Sequence, residues 1–181
     1  MNENVKKLAV SLEPIEKKKK EVKTQKEKQK RQITTTAKWV FGEPELESIY
    51  QWKLIKQIKY DNIVDKEHCD FVIKQINNKI YGYRSQDIDK NKLNETKLIN
   101  LQNVIDLLTT CENKCFYCKE NVGILYEYVR ESKQWTLDRL DNAFGHNNDN
   151  VVIACLSCNL RRKTMHPERY VFTKQMVIKK V

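Results

Sequence analysis

The sequence predicts an α+β fold in three parts: a Lys-rich arm over residues 1–36 without fixed structure, a mixed helical segment over 37–110, and a small metal-stapled module over 111–181. Three observations carry this expectation. A run of charge opens the chain, apolar residues recur at helical spacing in the middle, and two Cys-x-x-Cys pairs bracket strand-like sequence near the end.

The arm is the simplest part. Lys17 to Arg31 holds nine basic and two acidic side chains with one aliphatic residue, Val22, and supplies +7 of the formal net charge of +10. Such a stretch buries too little apolar surface to offset its ordering entropy. A solubilising tail, a nucleic-acid-contacting arm and a nuclear-import signal all fit it, since counterion release makes any lysine-rich tail bind phosphate. Across the chain, 34 Lys+Arg stand against 24 Asp+Glu. That surplus points to polyanionic partners and says nothing about fold. No run of 18 apolar residues and no secretory-type N-terminus is visible, so an intracellular, reducing compartment and no membrane partner are expected. In that setting six cysteines read better as metal ligands than as disulfides.

In the middle segment, Leu46, Ile49, Tyr50, Leu54 and Ile58 recur at helical spacing behind Pro44, which predicts a helix over Glu45 to Tyr60. Phe71 to Tyr83 divides into two short apolar runs around Asn77-Asn78 and closes at Gly82, which predicts a hairpin. Leu98, Leu101, Val104, Ile105 and Leu108 predict a second helix that leads into the cysteine region. His68 and Cys69 have no second ligand pair nearby and read as ordinary core or surface residues. Cys111 suits the end of the preceding helix.

The module carries the chemistry. Cys115 and Cys118 are separated by 36 residues from Cys155 and Cys158. Two such knuckles supply four thiolates and close a tetrahedral zinc shell. A closed shell of this kind is structural and does not activate water. Between the knuckles, residues 124–130 and 135–141 alternate and predict an antiparallel hairpin, followed by the loop AFGHNNDN, a short strand over 151–154 and a helix over 159–165. Trp135 and Tyr126 are expected to fill the thin core of a small metal-stapled domain. Strand, strand, loop and helix rooted on zinc make a ββα-metal arrangement.

These residues resemble the HNH endonucleases, and within them the zinc-bearing recombination endonucleases of phages. The matching pieces are Cys115 and Cys118, the run Leu137-Asp138-Arg139-Leu140-Asp141-Asn142, Gly145-His146 with Asp149-Asn150, and Cys155 to Arg162. Similar strings occur in phage and giant-virus proteins. An excess of 27 lysines over 7 arginines, with 16 asparagines, agrees with A/T-rich coding of that kind. The resemblance implies that Asp138 and Asn159 hold a catalytic magnesium or manganese ion against the scissile phosphate of DNA, branched DNA included. It implies that Asn150 braces the loop, and that a homodimer is a natural assembly.

One departure weighs against direct carry-over. Where the family has a histidine that takes a proton from water, this chain has Arg139, which is no base at neutral pH. Asp141 and His146 are the two candidates to replace it, with Arg139 left to contact phosphate. Arg130, Lys133, Arg161, Arg162 and Lys163 are expected to form the DNA-gripping surface. The sequence therefore supports a metal-dependent DNA endonuclease first. A catalytically inactive HNH-like zinc protein that binds DNA or RNA is the alternative, and a plain zinc-ribbon interaction module is a third.

Overall fold

The computed structural model describes residues 28–176. Its longest element is a helix where the sequence suggested a hairpin. Two short helices come first, α1 (Glu43–Leu46) and α2 (Ser48–Lys59), broken at Glu47 within the single helix expected there. Then α3 runs for 24 residues, Lys66–Asp89. Asp65 starts it by accepting from the backbone N–H of His68 at 3.1 Å. Cys69, Val72, Ile76, Tyr83 and Asp87 lie three, four or seven residues apart along one inward stripe. Asn77 and Asn78 fall on the exposed side of that helix. Their poor helix propensity costs about half a kcal/mol each. Burying the stripe outweighs that, and the predicted hairpin over 71–83 is thereby corrected.

Helix α4 (Leu101–Thr110) starts on Asn100, which caps Asn103, and buries Val104, Ile105 and Leu108 against α2, whose Leu54 and Ile55 are fully buried. Cys111 is its C-cap. The molecule's one sheet among the described residues pairs β1 (Trp135–Arg139) antiparallel with β2 (Val151–Cys155), from Trp135 opposite Cys155 to Arg139 opposite Val151. Helices α5 (Leu156–Arg162) and α6 (Pro167–Gln175) follow. The chain is thus mixed α+β, and α2, α3 and α4 share one hydrophobic core with the cysteine-bearing region.

The hairpin expected between residues 124–130 and 135–141 does not form. A side chain explains why. Gln51, buried on α2, accepts the backbone N–H groups of Ile124 at 2.6 Å and Leu125 at 2.9 Å and donates to the Leu125 carbonyl at 3.2 Å. Gln51 satisfies the backbone of residues 124 and 125, and residues 127–129 pair with Gln29 to Arg31 of the N-terminal segment, so this stretch does not fold back onto β1. The strand of β1 pairs forward with β2 across the loop instead.

The arm was expected to lack fixed structure through residue 36. Residues 1–27 lie outside the described residues, but Gln29 to Thr35 are docked. The backbone N–H of Val129 donates to the Gln29 carbonyl at 2.8 Å and that of Arg31 to the Glu127 carbonyl at 2.7 Å, before a 3-10 turn over Gln32–Thr35. Arg31 anchors this segment by laying its guanidinium 4.1 Å from the centre of the Tyr126 ring. No described helix is long and apolar enough to cross a membrane.

Candidate functional site

Four sulfurs gather first. The Sγ atoms of Cys115, Cys118, Cys155 and Cys158 all lie within 4.8 Å of one another. Sulfurs about 2.3 Å from a tetrahedral ion would stand a little under 4 Å apart, so the cluster is of a size to hold one metal ion. The knuckles are built locally. Lys119 turns back on Cys115 through a 3.0 Å backbone bond at φ 60, and Cys155 caps α5 by accepting from the N–H of Cys158 at 3.4 Å. The N–H of Phe116 donates to the Ile153 carbonyl at 2.8 Å, which ties the first knuckle to β2. The sulfurs perturb one another. The Cys155 thiol beside it holds Cys115 well below the usual thiol range, whereas Cys155 itself is pushed up by Cys115 and burial. Crowded thiols that cannot all ionise alone are the chemistry a divalent cation relieves.

Where β1 ends, the expected arrangement changes. Asp138 is 5% exposed, and both of its carboxylate oxygens are taken. Arg162 donates Nε to Oδ2 at 2.6 Å and Nη2 to Oδ1 at 2.9 Å, and the Tyr117 hydroxyl donates to Oδ2 at 2.6 Å. That hydroxyl is held protonated by burial and by the carboxylate it faces. Asn159 turns its amide nitrogen to the Thr136 hydroxyl at 3.1 Å and the Leu137 carbonyl at 3.4 Å. A magnesium or manganese ion needs free hard oxygens. A carboxylate already neutralised by a bidentate guanidinium does not offer them, so this donor set does not fit the expected catalytic cation. Arg162, read from sequence as a DNA contact, is 3% exposed and belongs to this internal pair.

The two candidate bases separate as well. Strand β1 stops at Arg139, and Asp141 sits in the following turn, where its Oδ1 accepts the Ala143 N–H at 2.8 Å and its own N–H donates to Asn150 at 2.9 Å. There it borders a different, apolar groove with Phe116 and Phe172 and does not line the cleft that holds His146. Asn150 also donates to the Asp141 and Gly145 carbonyls at 2.9 and 3.0 Å, which braces the loop.

His146 lines a cleft of about 460 Å³ together with Asp138, Arg139, Asn159, Lys90 and Lys163. Sequence reading missed the residue that holds it. Asp87, 1% exposed on α3, accepts from His146 Nδ1 at 2.9 Å and from the His146 backbone N–H at 2.6 Å. A carboxylate only accepts, so Nδ1 carries the proton and Nε2 is left as the acceptor nitrogen of the ring. Burial holds the imidazole below its ordinary value of 6.5, with Asp87 pulling the other way. Tyr83 stacks on the ring at 4.4 Å and accepts the Leu137 N–H at 2.9 Å, fixing the histidine against β1. Gly145 permits the close approach, because a Cβ there would meet the Lys92 carbonyl oxygen at 2.5 Å and Asp87 Oδ2 at 2.7 Å. Arg139 reaches the Phe144 carbonyl at 3.2 Å and stands 4.0 Å from Asp87.

Of the other expected nucleic-acid contacts, Lys163 lines the cleft, and Arg161 is exposed without lining it. Lys133 pairs with Glu120 at 3.1 Å, and Arg130 is exposed in a turn at φ 57. Neither lines the cleft. Lys90 does, and no sequence pattern singled it out. No family model matches this chain, and no curated protein or solved structure matches it either.

Proposed function

We propose that the protein is a zinc-stapled nuclease of the HNH type that cleaves the phosphodiester backbone of nucleic acid, DNA first, with His146 as the proton acceptor. The observation that carries this reading is the Asp87–His146 pair beside a cleft lined by three cations, Lys90, Arg139 and Lys163. Zinc is the ion that four thiolates select, and it serves as a staple. Within the cleft, Arg139, Lys90 and Lys163 draw the phosphate and stabilise charge on its oxygens. His146 Nε2 takes the proton from the attacking water, and Asp87 fixes the tautomer and steadies the imidazolium that results. No step is assigned to a cation between Asp138 and Asn159, because both carboxylate oxygens of Asp138 are bonded to Arg162.

The test is nicking of supercoiled plasmid and of branched DNA by the full chain, in magnesium, in manganese and in chelator. Cleavage that falls at least a hundredfold in His146→Gln, with metal content unchanged, supports the reading. Cleavage that His146→Gln leaves intact overturns the assignment of the base.

A second reading is favoured by one specific contact. Since Arg162 satisfies both oxygens of Asp138, the module fits an HNH-like scaffold that binds nucleic acid without cutting it. That reading predicts salt-dependent binding with no nicking under any of the three conditions.

A further inference from the structure

The face of α3 that reaches the cleft does not end there. Gln75, Asn78, Lys79, Gly82, Gln86 and Lys90 recur every one, three or four residues, so they form one row along the helix. At one end, Gln86 and Lys90 line the cleft with His146. At the other, Gln75, Asn78 and Lys79 line a second cavity of about 240 Å³ together with Arg31, Tyr126 and Trp135. Strand β1 floors both, since Trp135 borders the second cavity and Leu137 and Arg139 border the cleft.

The second cavity is cationic. Lys79 lies 5.1 Å from the centre of the Tyr126 ring and Arg31 lies 4.1 Å from it. Among the described residues no carboxylate pairs with either. Arg31 donates to the Tyr126 carbonyl at 3.1 Å and to Gln75 at 2.7 Å, and Lys79 donates to Gln134 at 3.3 Å and to the Trp135 carbonyl. All of these partners are neutral. An ammonium has three donors and a guanidinium five, so each cation keeps donors for an anion. Burial and, second, the nearby Arg31 depress Lys79 to about 7, a penalty that a bound anion would offset.

Between the two cavities sits Gly82. A glycine in mid-helix costs about 1 kcal/mol relative to alanine, and here nothing lies within 4 Å of where its Cβ would be. Packing therefore does not account for it. Bare backbone at that point leaves the helix face open along the row between the two cavities.

We propose that this face of α3, with β1 beneath it, is a track for one strand of nucleic acid, running from the cleft to a second phosphate site between Arg31 and Lys79. The proposal rests on reading the cleft as a phosphodiester site. Lys79 and Lys90 are about 16 Å apart at ~1.5 Å of rise per residue, which is roughly five steps at the ~3.4 Å axial rise of a B-form strand and fewer for an extended single strand, whose phosphates stand further apart. The ligand is thus a single strand extending several nucleotides beyond the bond that faces His146.

Fluorescence anisotropy with labelled oligo-dT and oligo-U of about two and about ten nucleotides tests it, on the full chain in chelator-free buffer without magnesium or manganese. The longer oligomer is expected to bind at least tenfold more tightly than the shorter. Lys79→Met is expected to remove most of that ratio and to lower the slope of log affinity against log salt by about 1. Gly82→Leu is expected to remove it by filling that open stretch of the helix face, in a position where the fold has room for the side chain. Equal responses of dT and U assign recognition to the phosphates, and a loss confined to U assigns it to the sugar hydroxyl. A length ratio that survives both variants, in protein whose circular dichroism and metal content match wild type, overturns the track. Failure of the cleft reads out separately, as binding of the short oligomer that Lys163→Ala and Lys90→Ala leave unchanged.

Discussion

Arg162 clasps Asp138 through two hydrogen bonds, Nε to Oδ2 at 2.6 Å and Nη2 to Oδ1 at 2.9 Å, and so locks the end of α5 onto the middle of β1. The same guanidinium donates to the carbonyls of Arg139 at 2.7 Å and Met165 at 2.7 Å. One side chain thereby joins the strand end, the turn after α5 and the interior carboxylate. In this role Asp138 is a strut.

Removing one partner of a buried ion pair leaves the other charged and alone, at a cost of about 3–5 kcal/mol. Arg162→Met is therefore expected to destabilise the fold by about that amount in urea unfolding. Asp138→Leu combined with Arg162→Met should cost less than the sum of the two single changes, since the second removes the charge stranded by the first. An Arg162→Met protein as stable as wild type would return Asp138 to the list of available metal ligands.

The sulfur cluster makes a separate demand. Its four cysteines come from residues 115–118 and 155–158, far apart in sequence, so a metal ion held by them would make binding and folding of this region one process. The purified, reduced protein is expected to contain one equivalent of zinc. Stripping that ion with a strong chelator should expose Trp135, which is fully buried beside Cys155 in the sheet register, and red-shift its fluorescence. Fluorescence and circular dichroism unmoved by complete metal removal would refute the staple.

Much of this was legible because it is local. The two knuckles and α4 follow from spacing that a single segment displays, whereas the loop braced by Asn150 was an implication of the family resemblance. What was not legible depends on side chains that arrive from elsewhere. Gln51 replaces a strand partner for residues 124 and 125, and nothing in ILYEYVR announces that. Asn77 and Asn78 look like a turn until the stripe from Cys69 to Asp87 is followed for the whole of α3. Asp87 itself left a readable trace, because it occupies an interior position on that stripe where an apolar residue is the ordinary occupant. A carboxylate there asks for a partner, and His146 is that partner. Arg162 looked like one basic residue among three in a row, and only its burial separates it from Arg161 and Lys163.

Lys79 gives the fold a pH dependence of predictable sign. Burial is the main cause and Arg31 the second in bringing its amine from 10.5 down to about 7. Between those two values the unfolded chain binds the extra proton and the folded chain does not, so this residue makes stability rise as pH increases from about 7 towards 10.5. The gain is a few kcal/mol at most, at 1.36 kcal/mol for each unit of pKa difference. Lys79→Met lacks the group, and the difference in unfolding free energy between wild type and variant should move in favour of wild type across that window. A difference that stays flat from pH 7 to 10 would mean that the amine remains solvated.

With His146 as the proposed base, the Asp87–His146 pair would set the acid limb of the reaction. His146 acts only when neutral, and burial places its pKa below 6.5, so activity is expected to hold at pH 6.5 and fall on further acidification. In that same range the unfolded chain binds more protons than the folded one, hence His146 also lowers stability as pH drops from 6.5 through its folded value. Stability and rate must therefore be measured together. Asp87→Asn removes a charge that favours the imidazolium, which shifts the acid limb to lower pH. It also removes the acceptor that fixes the tautomer, which should cut the plateau rate by about 10²-fold or more. Gly145→Ala reaches the same end by another route, since its Cβ would push on Asp87 Oδ2 and the Lys92 carbonyl, and it is expected to cost about 1–3 kcal/mol of stability besides. A purely structural Asp87 would lower the rate only in proportion to the folded fraction and leave the acid limb where it was. A shifted limb in protein that remains fully folded is the signature of a carboxylate acting through His146.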